Sequence, residues 1–208
     1  TFIGYYAGAV ITSGERNTAL GYQALDSADD CDDSIAIGYQ ALGGTDANVN
    51  NKNIAIGNYA MDANMTGATN NVAVGHLALS AITSGDANVS VGYQAGAGVV
   101  TGTYNTFIGA ESGLVASGSA VDNNTGLGFA SLKALTSGSR NTSLGTYSTQ
   151  QMVNASDTVA IGYYTLANAL TSTDIDGSVA IGSFSQAENK TGIGNTSVGF
   201  QSLKSDVN

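Results

Sequence analysis

The feature that most constrains this chain is an aliphatic residue followed by glycine, a pair that recurs twelve times over 208 residues. Successive glycines of these pairs lie 17 to 20 residues apart. They are Gly4, Gly21, Gly38, Gly57, Gly75, Gly92, Gly109, Gly128, Gly145, Gly162, Gly182 and Gly199. A fixed period of this kind is typical of a solenoid, in which each repeat packs only on its neighbours. We number the repeats 1 to 12 by these glycines.

The residues just before each glycine predict a short β-strand, because β-branched side chains stand at alternate positions. The residue directly before the glycine, here called the aliphatic row, is assigned to the hydrophobic core. Its members are Ile3, Leu20, Ile37, Ile56, Val74, Val91, Ile108, Leu127, Leu144, Ile161, Ile181 and Val198.

The residue two before the glycine, here called the small row, is Ala, Ser or Gly in ten repeats and Phe in two. With the aliphatic row inside, the alternation turns the small row outward, where a solvent-facing row would tolerate Lys, Glu or Thr. Its small side chains therefore predict close contact with another copy of the chain. The oligomer contact candidates are Ala19, Ala36, Ala55, Ala73, Ala160 and Ala180.

The segment after each glycine often reads aromatic-x-small-Leu and is followed by a polar turn, as in 12–14, 83–85 and 136–138. Seventeen residues leave no room for a strand and a full helix, so a two-strand β-roll is the predicted coil. Glycine in the turns is expected to permit a positive φ. Longer repeats place their extra residues at 43–52, 117–123 and 172–177, on one edge of the array.

The predicted fold is therefore all-β: a parallel β-solenoid or β-roll of about twelve coils of 17–20 residues, expected to be trimeric. Residues 1–208 form a single array. Neither end carries a polar capping repeat, so the chain is interpreted as a segment of a longer fibre.

Asparagine four residues before the glycine predicts a hydrogen-bonded amide ladder along the stack rather than a ligand site. Its members are Asn17, Asn53, Asn71, Asn88, Asn105, Asn124, Asn141 and Asn195. Aromatic residues directly after the glycine predict cross-coil packing, and stacking on sugars is the alternative. This aromatic row is Tyr5, Tyr22, Tyr39, Tyr93, Phe129, Tyr163 and Phe200, interrupted at Asn58, His76, Ala110, Thr146 and Ser183.

Charge and composition argue against several function classes. The net charge is −10 with only six basic residues, which disfavours nucleic acid and anionic membrane surfaces as partners. Cys31 stands among acidic residues that should raise its thiol pKa and blunt its reactivity. His76 is the only histidine, so neither a zinc site nor a nucleophile with a histidine base is expected. No cofactor is predicted, although the acidic runs 29–33 and 174–176 leave calcium open.

The units Asn-Thr-Ala-Leu-Gly (17–21), Ser-Ile-Ala-Ile-Gly (34–38) and Ser-Val-Ala-Ile-Gly (178–182) resemble the head repeats of trimeric autotransporter adhesins. Similar repeats occur in other bacterial surface fibres and in phage tail fibres. The resemblance covers nearly the whole chain, although these repeats are longer than adhesin head repeats. It implies a left-handed parallel β-roll of three interlocked chains, displayed outside a cell or virion for attachment.

These observations predict a non-enzymatic, extracellular structural or adhesive fibre segment on a cell or virion surface. Its expected partners are copies of itself, as a homotrimer, and a cell-surface or glycan receptor. A viral or phage tail-fibre shaft is the alternative within this class. An ice-binding β-solenoid is less favoured, because threonines such as Thr18 and Thr106 alternate with Val and Ile at a position assigned to the core. A sugar-degrading tailspike enzyme is the third hypothesis.

Overall fold

Each repeat contributes one short strand in the computed structural model, which describes residues 1–26, 30–44, 51–115, 120–168, 175–188 and 192–204. All strands pair in parallel with their sequence neighbours in one twelve-stranded sheet, which confirms the predicted parallel β-solenoid. The strands are β1 Phe2–Ile3, β2 Thr18–Leu20, β3 Ile35–Ile37, β4 Ile54–Ile56, β5 Val72–Val74, β6 Val89–Val91, β7 Thr106–Ile108, β8 Thr125–Leu127, β9 Thr142–Leu144, β10 Val159–Ile161, β11 Val179–Ile181 and β12 Thr196–Val198.

The strands are stacked without register shifts, so equivalent positions of successive repeats form rows along the rod. Ala36 pairs with Ala19 on one side and Ala55 on the other, and Ile37 pairs with Leu20 and Ile56 in the same way. Adjacent strands of a sheet lie about 4.8 Å apart, so the twelve strands span roughly 50–55 Å. A residue type that recurs at the same position of successive repeats therefore forms a continuous row along the rod.

The facing predicted for the strand is wrong, because the small row points inward and the aliphatic row points outward. Ala19, Ala36, Ala55, Ala73, Ala160 and Ala180 are all fully buried within the single chain and are not available as oligomer contacts. Of the aliphatic row, seven residues are exposed: Ile3, Leu20, Ile56, Ile108, Leu127, Leu144 and Val198. The other five, Ile37, Val74, Val91, Ile161 and Ile181, are partly exposed rather than core residues.

The interior is narrow, and this explains why small residues line it from the strand side. Large side chains enter from the segment after the glycine, where Leu25, Leu42, Met61, Leu79, Leu132 and Leu166 are fully buried. The two Phe residues of the small row support this account. Phe107 is fully buried, and a Cβ on Gly113 would overlap its ring. Likewise, a Cβ on Gly8 would lie 2.8 Å from the Phe2 ring. A large residue on the strand is therefore matched by a glycine at the facing position of the turn segment.

The segment after the glycine is not a second strand in any described repeat, so the two-strand β-roll is wrong. It turns twice, with left-handed backbone at the second and fourth residues after the glycine, as at Gln23 (φ 51°) and Leu25 (φ 52°). The Gln23 N–H donates to the Tyr5 carbonyl of the preceding repeat, and the Leu25 N–H donates to the Ala41 carbonyl of the next. The turns thus take part in the inter-repeat hydrogen bonding.

The repeated glycine is required by both backbone conformation and space. Its φ lies between 126° and 140° in the twelve repeats, a region that L-residues avoid. A Cβ on Gly21 would also overlap the carbonyl of Gly38 in the next repeat. The turn glycines Gly14, Gly85 and Gly138 differ from expectation, because their φ is not positive and close approach alone excludes a side chain.

Candidate interaction surfaces

The outward side of the sheet forms an apolar band, here called the aliphatic face, which consists of two parallel columns. One is the aliphatic row. The other lies three residues before the glycine: Thr18, Ile35, Ile54, Val72, Val89, Thr106, Thr125, Thr142, Val159, Val179 and Thr196. All of these side chains are exposed or partly exposed, and none carries a charge. At roughly 50–55 Å by about 10 Å, the band is as large as the largest apolar patch of an ordinary monomer.

Charged side chains border the aliphatic face at the position five residues before the glycine, where the backbone is left-handed. Arg16 pairs with Asp33 through Nε–Oδ1 at 2.5 Å, and Arg140 pairs with Asp157 in the same way at 2.6 Å. Hydrogen bonds from each guanidinium hold the pKa of Asp33 and of Asp157 below the usual carboxyl range. These four charged groups are paired with each other within the chain. The apolar band lies between them and the aromatic side chains and contains no charged side chain.

Aromatic rings continue the outward surface on the other side of the aliphatic face, which we call the aromatic ladder. Ring contacts run through the first six repeats: Tyr5, Tyr22, Tyr39, Tyr59, His76 and Tyr93. They resume through repeats 8 to 11: Phe129, Tyr147, Tyr163, Tyr164 and Phe184. The predicted cross-coil packing is confirmed for every member of the row except Phe200, which makes no ring contact with the described residues. Where the first residue after the glycine lacks a ring, as at Asn58, Thr146 and Ser183, the second residue supplies one, and sequence inspection missed this.

Stacking limits what the aromatic ladder can bind. The rings of Tyr22 and Tyr39 lie 5.2 Å apart and within 7° of parallel, so each covers a face of the other. Burial among neighbouring rings also raises the pKa of Tyr39. A sugar that stacks on an aromatic ring needs an uncovered face. The stacked stretches therefore present ring edges rather than platforms.

The predicted asparagine ladder is confirmed from Asn17 to Asn141. Each amide oxygen accepts hydrogen bonds from the next repeat; Asn88 Oδ1, for example, accepts from Asn105 N at 3.0 Å and Asn105 Nδ2 at 2.9 Å. Each amide nitrogen donates to a buried turn carbonyl, as Asn88 Nδ2 does to Gly102 O at 2.8 Å. Ser34 and Thr158 fill the same slot: the Ser34 hydroxyl accepts from Asn53 N, and the Thr158 hydroxyl donates to Asn141 Oδ1. Asn195 is the exception, because it donates to Gly192 of its own turn instead.

A second polar ladder lies six residues before the glycine and was missed in the sequence. There a side-chain oxygen accepts the backbone N–H of the preceding repeat, as Asp86 Oδ1 does from Thr69 N at 2.7 Å and Asp122 Oδ1 from Thr103 N at 2.8 Å. Ser156 plays the same part for Ser139. The recurrence of Asp, Ser and Thr at this offset was the available signal. Several acidic residues thus serve as hydrogen-bond acceptors within the turns.

Cys31 belongs to the interior rather than to a reactive surface. It is buried, and its carbonyl accepts the amide of Asn17, the role that Gly85 and Gly102 play in other repeats. Burial raises the pKa of its thiol, and the carboxylates of Asp32 and Asp30 raise it further. The predicted direction of the shift is confirmed, but desolvation is its largest cause.

The described residues contain no group of three or more His, Cys, Asp or Glu side chains that could hold a metal ion. Calcium stays open at the acidic runs 29–33 and 174–176, of which Asp29 and Asp174 lie outside the described residues, as do residues 45–50, 117–119 and 172–174 of the longer repeats. His76 is stacked on Tyr93 at 5.7 Å in the aromatic ladder. No helix of the described ranges is long and apolar enough to cross a bilayer.

The chain matches no family model, no curated protein and no solved structure. Functional inference therefore depends on the aliphatic face and the aromatic ladder.

Proposed function

We propose that this chain is a structural and adhesive fibre segment that assembles with copies of itself through the aliphatic face, outside a cell or virion. The observation that carries the proposal is an uncharged sheet face of Ile, Leu, Val and Thr that runs uninterrupted along a twelve-strand rod. Removal of apolar surface from water is favourable by about 25 cal/mol per Å², and this gain opposes the entropy lost on association. A monomer would leave the whole length of the apolar band exposed to water and would not gain this free energy.

Self-association fits the face because its repeats are in register. A second copy meets the same side-chain types at every strand, which makes the surface complementary to itself. The trimer expected from the resemblance to adhesin head repeats would turn each aliphatic face toward the common axis. The contact is thus proposed at the aliphatic row, not at the small row. Attachment to a receptor, including a glycan, is proposed for the surfaces that remain outside.

Sedimentation equilibrium tests the assembly with charges placed on and off the face. Wild type is expected to sediment as a trimer, whereas arginine at the exposed positions Ile56 and Leu127 should give a folded monomer. The matched control carries Gln23→Arg and Gln201→Arg, which add the same charge at partly exposed and exposed positions off the face in well-separated repeats and should leave the trimer intact. Ala36→Arg should instead abolish the cooperative melting transition, since Ala36 is fully buried. A wild type that stays monomeric at high micromolar concentration contradicts the proposal.

Ice binding is a second candidate, because the threonines placed in the core by the sequence argument lie on the outward sheet face. Thr106, Thr125 and Thr142 stand in register in three successive strands. The same column holds Val or Ile in six other strands, so the hydroxyl row is short. Measurement of thermal hysteresis tests this candidate. We expect none, and a clear freezing-point depression would favour ice over a second copy as the occupant of the face.

A further inference from the structure

Repeat 7 is the one repeat without an outward ring at either of the two positions after its glycine. Every other repeat carries an aromatic or histidine ring there, but repeat 7 has Ala110 and Glu111. Its aromatic residue, Phe107, points into the core instead. The ring contacts accordingly end at Tyr93 in repeat 6 and resume at Phe129 in repeat 8. The aromatic ladder therefore has a gap one repeat wide, which we call the ladder gap.

The ladder gap has the dimensions of one missing ring. Tyr93 stacks on His76 with an interplanar angle of 16°, so its other face is directed toward repeat 7, where Ala110 offers only a methyl group. Tyr93 is 49% exposed, compared with 42% for Tyr22, which has a ring on both sides, and with 39% for Phe129 on the other flank of the gap. Repeats 6 and 8 are two strand spacings apart, about 10 Å. Stacked rings elsewhere in the ladder lie 5.2 to 5.8 Å apart, so two strand spacings correspond to about one additional ring between the levels of Tyr93 and Phe129.

Polar groups beside the ladder gap favour a sugar ring over an aromatic one. Glu111 directly follows Ala110, and its Oε2 is held by Lys133 Nζ at 2.5 Å. Gln94 adds a partly exposed amide next to Tyr93. A pyranose has apolar C–H faces for the two rings and hydroxyl groups at its edge for a carboxylate, an ammonium and an amide. The net charge of −10 disfavours acidic sugars.

We propose that the ladder gap, formed by Tyr93, Ala110 and Phe129, binds a neutral pyranose of a glycan, with Glu111 and Gln94 contacting its hydroxyl groups. This inference deepens the attachment part of the proposed function and is independent of self-association through the aliphatic face. One pyranose enters between the two rings, and the rest of the glycan extends away from the rod. His76, stacked on Tyr93, and Tyr147, in edge contact with Phe129, support the two rings from the sides away from the gap.

Saturation-transfer difference NMR on the intact chain tests the site with glucose, galactose, mannose, N-acetylglucosamine, N-acetylgalactosamine and their β-linked tetrasaccharides. Ala110→Tyr supplies the missing ring in the way that Tyr22 and Tyr39 do in their repeats. It should abolish saturation transfer while the melting temperature stays equal or rises. Thr146→Tyr is the matched control, since Tyr147 already closes the ladder there. Loss of one stacking ring in Tyr93→Leu or Phe129→Leu should weaken binding about tenfold.

The outcomes separate this site from the proposed function. Binding that Ala110→Tyr removes and Thr146→Tyr preserves supports the ladder gap. Binding that survives Ala110→Tyr overturns the site but leaves glycan attachment standing elsewhere on the rod. No binding to any of the sugars overturns the site as well, and the sedimentation experiment then decides the fibre proposal on its own.

Discussion

At the scale of single residues, buried polar side chains of this solenoid form rows in which each member depends on the next. The amide of Asn88 makes hydrogen bonds to Asn71, to Asn105 and to the Gly102 carbonyl, all of them buried. Removing one amide leaves partners in both neighbouring repeats without water to replace it. Each such orphaned group costs about 1–3 kcal/mol.

Asn88→Ala is therefore expected to lower the free energy of unfolding by about 2–4 kcal/mol, since the Asn105 N–H and the Gly102 carbonyl both lose their partner. Asn88→Ser should cost about half as much. The reason is that a serine in this slot, Ser34, already accepts the N–H of Asn53 at 3.1 Å. Urea denaturation of both variants measures the difference. Equal losses for Ala and Ser would mean that packing, not hydrogen bonding, fixes the ladder.

Left-handed backbone at ordinary residues is the second residue-scale feature. Ala87 has φ 56° and is one of many non-glycine residues in this region. The left-handed conformation costs an L-residue about 1–2 kcal/mol, whereas glycine pays about 0.5–1 kcal/mol in chain entropy. Ala87→Gly should therefore stabilise the chain by up to about 1 kcal/mol in thermal or urea unfolding. Ala97→Gly, at a similarly half-buried site without positive φ, should destabilise it by about 0.5–1 kcal/mol.

At the scale of the strand and its turn, the sequence predicted where each strand lies but not which side faces inward. Alternation has a period of two, so exchanging the inner and outer faces preserves the pattern. Hydrophobicity placed Ile37 and Ile56 inside, whereas the available volume placed Ala36 and Ala55 there. The deciding signal was the pairing of Phe with a glycine six residues later, at 2 with 8 and at 107 with 113. When a large residue at one position goes with a glycine at another, the two side chains fill the same interior space.

The candidate surfaces were predictable only in part for the same reason. Rows of Asn and of aromatic residues were visible in the sequence, because a strict period guarantees that equivalent residues stack. The aliphatic face was not found, since its residues had been assigned to the core. In the sequence, Ala110 is one of five interruptions of the aromatic row. The structure distinguishes it because Tyr59, Tyr147 and Phe184 fill three of the other positions.

Phe107 on the strand and Gly113 in the turn of repeat 7 fill one interior space, and this can be tested by changing both. Phe107→Ala should cost about 3–5 kcal/mol, because it leaves a cavity beside Gly113. Adding Gly113→Leu should recover most of that loss, since the pair then matches Ala19 and Leu25 of repeat 2, and Leu25 tolerates the same left-handed backbone. Gly113→Leu alone should unfold the repeat. A double-mutant cycle in urea measures the coupling, and additive effects would contradict the shared volume.

At the scale of the whole molecule, assembly sets apolar attraction against charge repulsion. The chain has 16 acidic and 6 basic residues, and its described Arg–Asp pairs are internal. Copies that meet along the aliphatic face bring their net negative charges close together over the length of the rod. Repulsion of this kind is screened by salt, with a Debye length that falls from about 30 Å at 0.01 M to about 3 Å at 1 M. Apolar contact is not weakened by the same change.

Salt should therefore strengthen self-association. Between about 20 mM and about 500 mM sodium chloride, sedimentation equilibrium is expected to show a lower dissociation constant for the assembled wild type. The variant with arginine at Ile56 and Leu127 should remain monomeric across the series, because added salt cannot restore a face interrupted by charge. If association of wild type instead weakened with salt, ion pairs between copies would be holding the fibre together. The aliphatic face would then lose its proposed role even though the solenoid itself stood unchanged.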